Sequence, residues 1–521
     1  VVVVMVVAAF IYLFKQNKVK TWLTASAALL IVAILAIAVN GNKFVQIQQY
    51  SKHTIRGGQS ELADPNQKKE SGLDKEYAFS WSNGLGETAC LLVPNLYGGA
   101  SNQDIGTDSH YGQELKKLNV PSRQIAQMTA NAPTYWGPQP MLSGAVYFGA
   151  VVCFLFILSL FVIKSNKKWW VFGTILFFII LSVGKSLEGI NYFLFDYFPG
   201  LNKFRAPTMA LAIPSLLIPL MAVWALKDIL EDKISKADFF KALKNSGITI
   251  GAILLLVLFA TQGMFSYIGL NDDQIKGQFG EYGDQVMSAL RSDRASMALN
   301  DTLRSIVFIG LSFAVLWMFA KEKLSKNIAL IATGLLVVID LLPVAHRNLQ
   351  KDRNYITVAE WESELKPKAV DREILKDKTP YFRVFDLTVS PFNDARTALF
   401  HKSVGGYHGA KLQIYQDLIE NQLGKLNVPV INMLNTKYLI VPGQNKQAIV
   451  QQNPSALGNA WFVNEVRFVN TAREEMDALN GPSLSNPADT MPGFDPANVA
   501  IVRADYKDKV GATQLNKIGS S

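Results

Sequence analysis

Chemistry in this chain would have to come from a few charged side chains set in apolar surroundings. Glu87 is the single acid in YAFSWSNGLGETACLLVPNLYGG (77–99), an aromatic, glycine-punctuated stretch. Such a segment suits the boundary between lipid headgroups and water, where Trp81 and Tyr97 would be at home. An apolar setting raises a carboxylate's pKa, which makes Glu87 a candidate general base or cation ligand. A helix N-terminal acid set against the macrodipole is the alternative. Lys203 and Arg205 sit in PGLNKFRAP, just before an apolar run that begins at Thr208, with Pro207 setting the entry angle. An arginine fork and a lysine point charge together can hold a phosphate, so a lipid-linked phosphate or pyrophosphate is the ligand they would favour. Snorkelling to lipid headgroups is the competing explanation.

Two further groups stand out. Asp340, in VVIDLLPVAHRN, falls inside an apolar run, where an acid is functional by default, but lies within reach of His346 or Arg347. A structural ion pair with one of them is expected. In the last third of the chain, SPFNDARTALFHKSVGGYH gathers Asn393, Asp394, Arg396, His401, Lys402, Tyr407 and His408 in one glycine-containing loop. That polar and aromatic mixture favours a sugar, here as acceptor or ligand. The spacing of His401 and His408, with no Cys or paired acid motif, does not make a metal site. No G-x-G-x-x-G, P-loop, G-x-S-x-G or H-E-x-x-H occurs, so no nucleotide cofactor is expected and the common hydrolase classes lose their signatures.

The elements that position these residues follow from composition. The 521 residues are 49% apolar and only 18% charged, against about 25% in ordinary soluble domains. This balance excludes disorder, collagen and coiled coil. A single soluble core of this size is also excluded, since cores stop growing at roughly 250–300 residues. The net charge of +9 would suggest a nucleic-acid partner in a soluble protein; in a membrane protein it reflects Lys and Arg gathered in cytoplasmic loops. Cys90 and Cys153 are too few for a disulfide framework.

Apolar runs at roughly 1–14, 21–40, 143–163, 169–184, 208–226, 247–268, 303–320 and 328–345 predict about eight membrane spans. The first lacks a basic leader and is shorter than a bilayer requires, so it reads as a truncated helix. Connectors carrying Lys15, Lys18, Lys20, then Lys164, Lys167, Lys168, then Lys233, Lys236, Lys241, and finally Lys321, Lys323, Lys326 all fall on one side if the helices alternate. The acidic stretch 269–302 falls on the other. The positive-inside rule places the lysines in the cytoplasm and 41–142, 185–207, 269–302 and the hydrophilic tail outside. Within 41–142, residues 51–75 (Gly57, Gly58, Pro65, Lys68 and Lys69 among them) read as polar and mobile.

The expected fold is a polytopic α-helical membrane protein with an extracytoplasmic α/β C-terminal domain. Its parts are two membrane helices in 1–40, an extracytoplasmic loop in 41–142, a six-helix membrane bundle in 143–345 and a soluble α/β domain in 346–521. In that domain 381–387, 436–441 and 460–469 read as strands, and 409–423 and 471–479 as helices starting at Gly409 and Thr471.

GETACLLVPNLYGG, PGLNKFRAP, VVIDLLPVAHRN, FNDARTALFHKSVGGYHGAKLQIYQDLI, INMLNTKYLIV and ALGNAWFV occur in this order. Together they resemble the bacterial YfhO family of membrane proteins, in its Bacteroidetes-type form, over nearly the whole chain. That family is similar to GT-C glycosyltransferases, polytopic enzymes that take sugar from a polyprenyl-phosphate donor on the outer face of the cytoplasmic membrane. The resemblance implies a cell-envelope glycopolymer as acceptor, donor-phosphate contacts at Lys203 and Arg205, and an acceptor site in the tail. It also implies a main catalytic acid in a first outside loop upstream of Val1, leaving Glu87 as the candidate within this chain. A divalent metal would serve the leaving phosphate as well as those two cations would. Nucleic acid is not an expected partner; membrane lipid is. A transporter or flippase of lipid-linked sugars and a non-catalytic envelope scaffold are the alternatives.

Overall fold

The computed structural model describes residues 2–57, 60–63, 72–349, 355–444, 447–486 and 493–510. Val1, Gly58, Pro65, Lys68 and Lys69 lie outside the described residues. The chain forms two compact units, residues 1–36 with 74–355 and residues 37–73 with 356–521.

Helices dominate the first 348 residues. In chain order they are α1 (Val2–Lys15), α2 (Val19–Val39), α3 (Gly41–Ser51), α4 (Lys75–Phe79), α5 (His110–Lys117), α6 (Ser122–Ala130) and α7 (Ala150–Val162). There follow α8 (Lys167–Val183), α9 (Glu188–Tyr197), α10 (Ala212–Leu230), α11 (Lys236–Gly263), α12 (Asp272–Gln278), α13 (Gly283–Ala320) and α14 (Lys326–Asn348). Among the described residues six stretches are long and apolar enough to cross a membrane: Val19–Val39, Lys167–Tyr197, Pro207–Leu230, Lys236–Gly263, Gly280–Ala320 and Lys326–Asn348. Leu216, Val223, Leu255, Leu256, Phe259 and Ile331 are each more than three-fifths exposed on them. So continuous an apolar surface belongs in lipid, and the chain is a multi-pass membrane protein.

The remaining two apolar runs make shorter helices, α1 and α7. Helix α7 starts only at Ala150 because Gly149 turns the chain with a φ of 101°. It is the buried centre of the first unit, with Val151, Phe154, Leu155 and Leu158 inside and α10, α11 and α13 packed around it.

Helix α13 is where the polarity of 269–302 misleads. That stretch is mostly helical, and α13 runs unbroken for 38 residues. At 1.5 Å per residue this is about 57 Å, nearly twice a hydrocarbon core. Its polar first half is covered by 105–132 through Tyr111, Leu115, Ile125, Val286, Met287 and Leu290. Charged side chains on this half are each matched. Asp293 accepts the backbone N–H groups of His110 (2.9 Å) and Tyr111 (2.8 Å) at the start of α5. Arg294, only 1% exposed, grips both oxygens of Asp272 at 2.9 Å and donates to the Tyr267 and Pro133 carbonyls at 2.7 Å.

The partner expected for Asp340 has to be corrected. Its carboxylate is held by Arg304 at 3.0 Å, the Tyr147 hydroxyl at 2.6 Å and the Val151 N–H at 3.1 Å. Arg347 turns instead to Asp301 at 2.6 and 3.0 Å. A neighbour in sequence lost to a neighbour across the α13–α14 contact, where a buried acid gains three donors at once.

Three of the lysine-bearing connectors meet at one end of this unit. Lys164 approaches Asp238 at 3.7 Å, Lys236 pairs with Glu322, and the Lys321 ammonium lies 5.1 Å from the Phe240 ring centre.

The second unit is α/β. Strand β1 (Arg383–Asp386) pairs in parallel with β2 (Thr436–Pro442), which pairs antiparallel with β3 (Ala448–Gln452). A separate parallel pair joins β4 (Glu465–Val469) to β5 (Val499–Arg503), with helix Ala472–Ala478 in the crossover. Thr471 caps that helix by accepting from the Glu474 N–H, as its sequence signals. The helix read from Gly409 starts later, at Gln413, because 409–412 is bonded sideways: Arg56 Nε donates to the Gly409 carbonyl (2.6 Å) and the Ile55 N–H to that of Lys411 (2.9 Å). The core is Phe385, Val404, Ile419, Leu423, Ile431 and Leu439.

Candidate functional site

Residues 74–87 carry the candidate site, and the local sequence explains their path. Asp74 caps α4 by accepting the Tyr77 N–H. Phe79 is then buried against Tyr192 and Phe195 of α9, with ring centres 5.1 and 5.3 Å away. Lys75 reaches Asp196 at 2.6 Å and Lys185 reaches Glu76 at 2.6 Å, tying α4 to the 3₁₀ turn and helix that follow α8. The α8–α9 junction is sharp because Gly184 adopts φ 48°; a Cβ there would lie 2.1 Å from the Ser82 hydroxyl. Glycine thus allows residues 82–83 to dock, with the Asn83 N–H donating to the Ser182 carbonyl at 3.0 Å.

Against this segment lies the loop of Lys203 and Arg205. The Ala206 N–H donates to the Ala78 carbonyl at 3.1 Å and Thr208 to that of Trp81 at 3.4 Å. Ala206 pays for this register with a left-handed φ of 61° ahead of Pro207. The result is an aromatic clamp. The Arg205 guanidinium carbon lies 5.2 Å from the Tyr77 ring centre and 5.1 Å from that of Trp81, and Nη1 donates to the Tyr77 hydroxyl at 2.6 Å. A flat cation held on two rings has the direction of its N–H fork fixed. Lys203 stands two residues away, its ammonium pKa lowered by partial burial.

Glu87 is 4% exposed and sits in the 3₁₀ turn Gly86–Leu91. Its carboxylate accepts from the Gly84 N–H (2.9 Å), the Tyr135 hydroxyl (2.8 Å) and the Gln139 side-chain amide (3.2 Å). The same amide bonds Asn83 at 3.1 Å, closing a small buried network. Burial pushes the Glu87 pKa up, and the three donors draw it only partly back. Trp81 of the clamp and Gly84 of this network are three residues apart, so their Cα atoms lie within about 11 Å. One segment thus touches Arg205 through Tyr77 and Trp81 and carries Glu87 a few residues further on, with Lys203 in the same loop as Arg205. Tyr77, Tyr135 and Gln139 complete the arrangement, and sequence could not single them out. Tyr135 and Gln139 lie about fifty positions from Glu87, beyond any local motif.

The tail residues divide. Arg396 Nη2 and His401 Nε2 both converge on the buried Asp371, at 2.9 and 3.0 Å, and the Lys368 N–H adds a third bond at 2.8 Å. With its side chain 2% exposed, His401 works inside the domain, holding the loop at 401–404, which follows the short helix Thr397–Phe400, to helix Ala369–Ile374. Asn393, Lys402, Tyr407 and His408 stay at the surface. Lys402 lies over the Tyr381 ring at 4.2 Å, Asn393 bonds Ser390 at 3.1 Å, and His408 Nδ1 accepts from the Ala410 N–H at 3.2 Å. Asp371 carried no local sign of its role. Among the described residues no three His, Cys, Asp or Glu side chains converge as metal ligands. Compared with protein-family models, curated proteins and solved structures, the chain matches none.

Proposed function

We propose that this protein is a GT-C-type sugar transferase akin to the YfhO family. It would act at the outer face of a bacterial cytoplasmic membrane, moving a sugar from a polyprenyl-phosphate donor to a cell-envelope glycopolymer. In this reading α1 and α7 join the six long apolar stretches to make eight crossings. The lysine-rich end is cytoplasmic, and residues 41–142, 185–207 and the tail domain are outside. The observation that carries the proposal is the single segment, 77–87, that joins the clamped Arg205 to the buried Glu87.

The chemistry is a direct displacement. An acceptor hydroxyl oxygen bonds to the anomeric carbon as the bond from that carbon to the phosphate oxygen breaks. Arg205 and Lys203 hold the leaving phosphate, whose charge grows as that bond opens. The acceptor proton goes to Glu87 by way of Tyr135, which gives its own proton to the carboxylate as it takes the new one. A carboxyl with a raised pKa is better matched to that task near neutral pH than an ordinary one. A flippase would need polar groups open to a moving headgroup in the spans. Asp340 and Asp301 are instead held by Arg304 and Arg347, which favours the transferase.

The test uses the full chain in proteoliposomes supplied with radiolabelled polyprenyl-phosphate sugar and envelope glycopolymer. Label is expected on the polymer. Label crossing the bilayer without transfer would make the protein a flippase, and neither outcome would leave a scaffold.

A further inference from the structure

Beside the Glu87 network the first unit has a small cleft, open to solvent on one side. Tyr135, Gln139, Asn271, Leu270, Ile275 and Arg294 are among its walls. Three of its polar walls are buried side chains: Gln139 at 3% exposure, Asp272 at 2% and Arg294 at 1%. These groups hold their positions before any ligand arrives. Gln139 is fixed by Asn83 and Glu87, and Arg294 by Asp272 and two carbonyls. The buried Arg294 Nε has no acceptor among the described residues, which marks the region as short of one hydrogen-bonding partner.

The lining also speaks to charge. Arg294 and Asp272 cancel, while amide, hydroxyl and backbone groups alternate with the flat apolar faces of Pro133, Pro140 and Leu270. A phosphate would find no unbalanced cation as good as those at Arg205. A neutral pyranose, with hydroxyls on its rim and C–H groups on its faces, matches this mixture.

We propose that this cleft is a binding site for a neutral pyranose ring, in which Gln139 and Asn271 bond ring hydroxyls and Leu270 covers a C–H face. Tyr135 faces both the cleft and Glu87, so the sugar and the carboxylate share one hydroxyl. Naming that sugar the acceptor rests on the transferase reading above; its binding does not.

Saturation-transfer NMR on the full chain in nanodiscs tests the site, with methyl glucoside, methyl galactoside and methyl N-acetylglucosaminide as probes and inorganic phosphate as competitor. At least one pyranoside should receive saturation at its ring protons, and phosphate should not displace it. Leu270 is two-thirds exposed, so Leu270→Trp should fill the mouth without unfolding the unit and reduce the signal at least fivefold. Asn271→Ala should weaken binding by a similar factor. Arg205→Ala should leave pyranoside binding unchanged even where it stops transfer, which separates failure of this site from failure of the transferase. No saturation of any pyranoside, equal displacement by phosphate, or an undiminished signal in a folded Leu270→Trp protein would overturn the proposal.

Discussion

Arg205→Ala is expected to lower sugar transfer by about 10²–10³-fold, the range seen when one preorganised donor to a developing anion is removed. Insertion and folding should survive. Arg205 is half-buried, and its departure removes the bond to the Tyr77 hydroxyl and the contacts with the Tyr77 and Trp81 rings while the backbone bonds of 206–208 to 78–81 remain. Arg205→Lys should recover only a small part of the loss, because an ammonium lacks the planar fork that lies on Tyr77 and Trp81. The decisive comparison is transfer rate per inserted molecule. Wild-type rates in an inserted Arg205→Ala protein would remove this residue from the mechanism.

The second large effect lies in the tail domain. Asp371→Ala leaves Arg396 and the buried His401 facing a void, and breaking such a buried pair costs about 3–5 kcal/mol. Val384 of β1 bonds both Lys402 and Val404, so loosening that loop should release the β1 edge of the sheet. Amide exchange of Val384 and Val404 in the full chain reads this directly. The wild type should also be acid-sensitive. Burial alone would raise the Asp371 pKa, but bonds from Arg396, the Lys368 N–H and His401 outweigh it and hold the carboxyl below its ordinary value. A depressed folded pKa means that this stabilisation is complete above the ordinary aspartate range and is lost as pH falls through the folded value. Protection should therefore drop on acidification below about pH 4, and Asp371→Asn should flatten that drop.

Local signals survive well in this chain. The apolar runs of α2, α8, α10, α11 and α14 announced themselves because lipid demands length and composition together. Thr471 capped its helix, β1 lies within the segment its β-branched and aromatic residues mark, and β2 runs one residue past its own, to Pro442. What escaped depended on distant partners. The first half of α13 looks like an acidic loop, yet Val286, Leu290, Asp293, Arg294 and Asp301 recur at helical spacing and are buried, their charges met from other segments. Helical periodicity was present there, masked by charge. β3 and β5 are five-residue strands whose pairing is set by β2 and β4, and neither is buried enough to show a one-sided apolar pattern. At the site, Glu87 and the Lys203–Arg205 pair could be read from residue type and setting. Tyr135 and Gln139 could not, because the fold alone sets them beside the carboxylate.

Everything proposed for the donor and the acceptor requires that the end of the first unit opposite the lysine-rich connectors faces outward, as does the tail. Single cysteines placed by Asn271→Cys, Tyr407→Cys and Lys323→Cys, in a Cys90→Ser, Cys153→Ser background, report this with a membrane-impermeant maleimide on right-side-out vesicles. The first two should label at once, and the Lys323 position only after permeabilisation. Immediate labelling at 323 with protection at 271 and 407 would reverse the orientation, and the site would then face away from the envelope it is proposed to build.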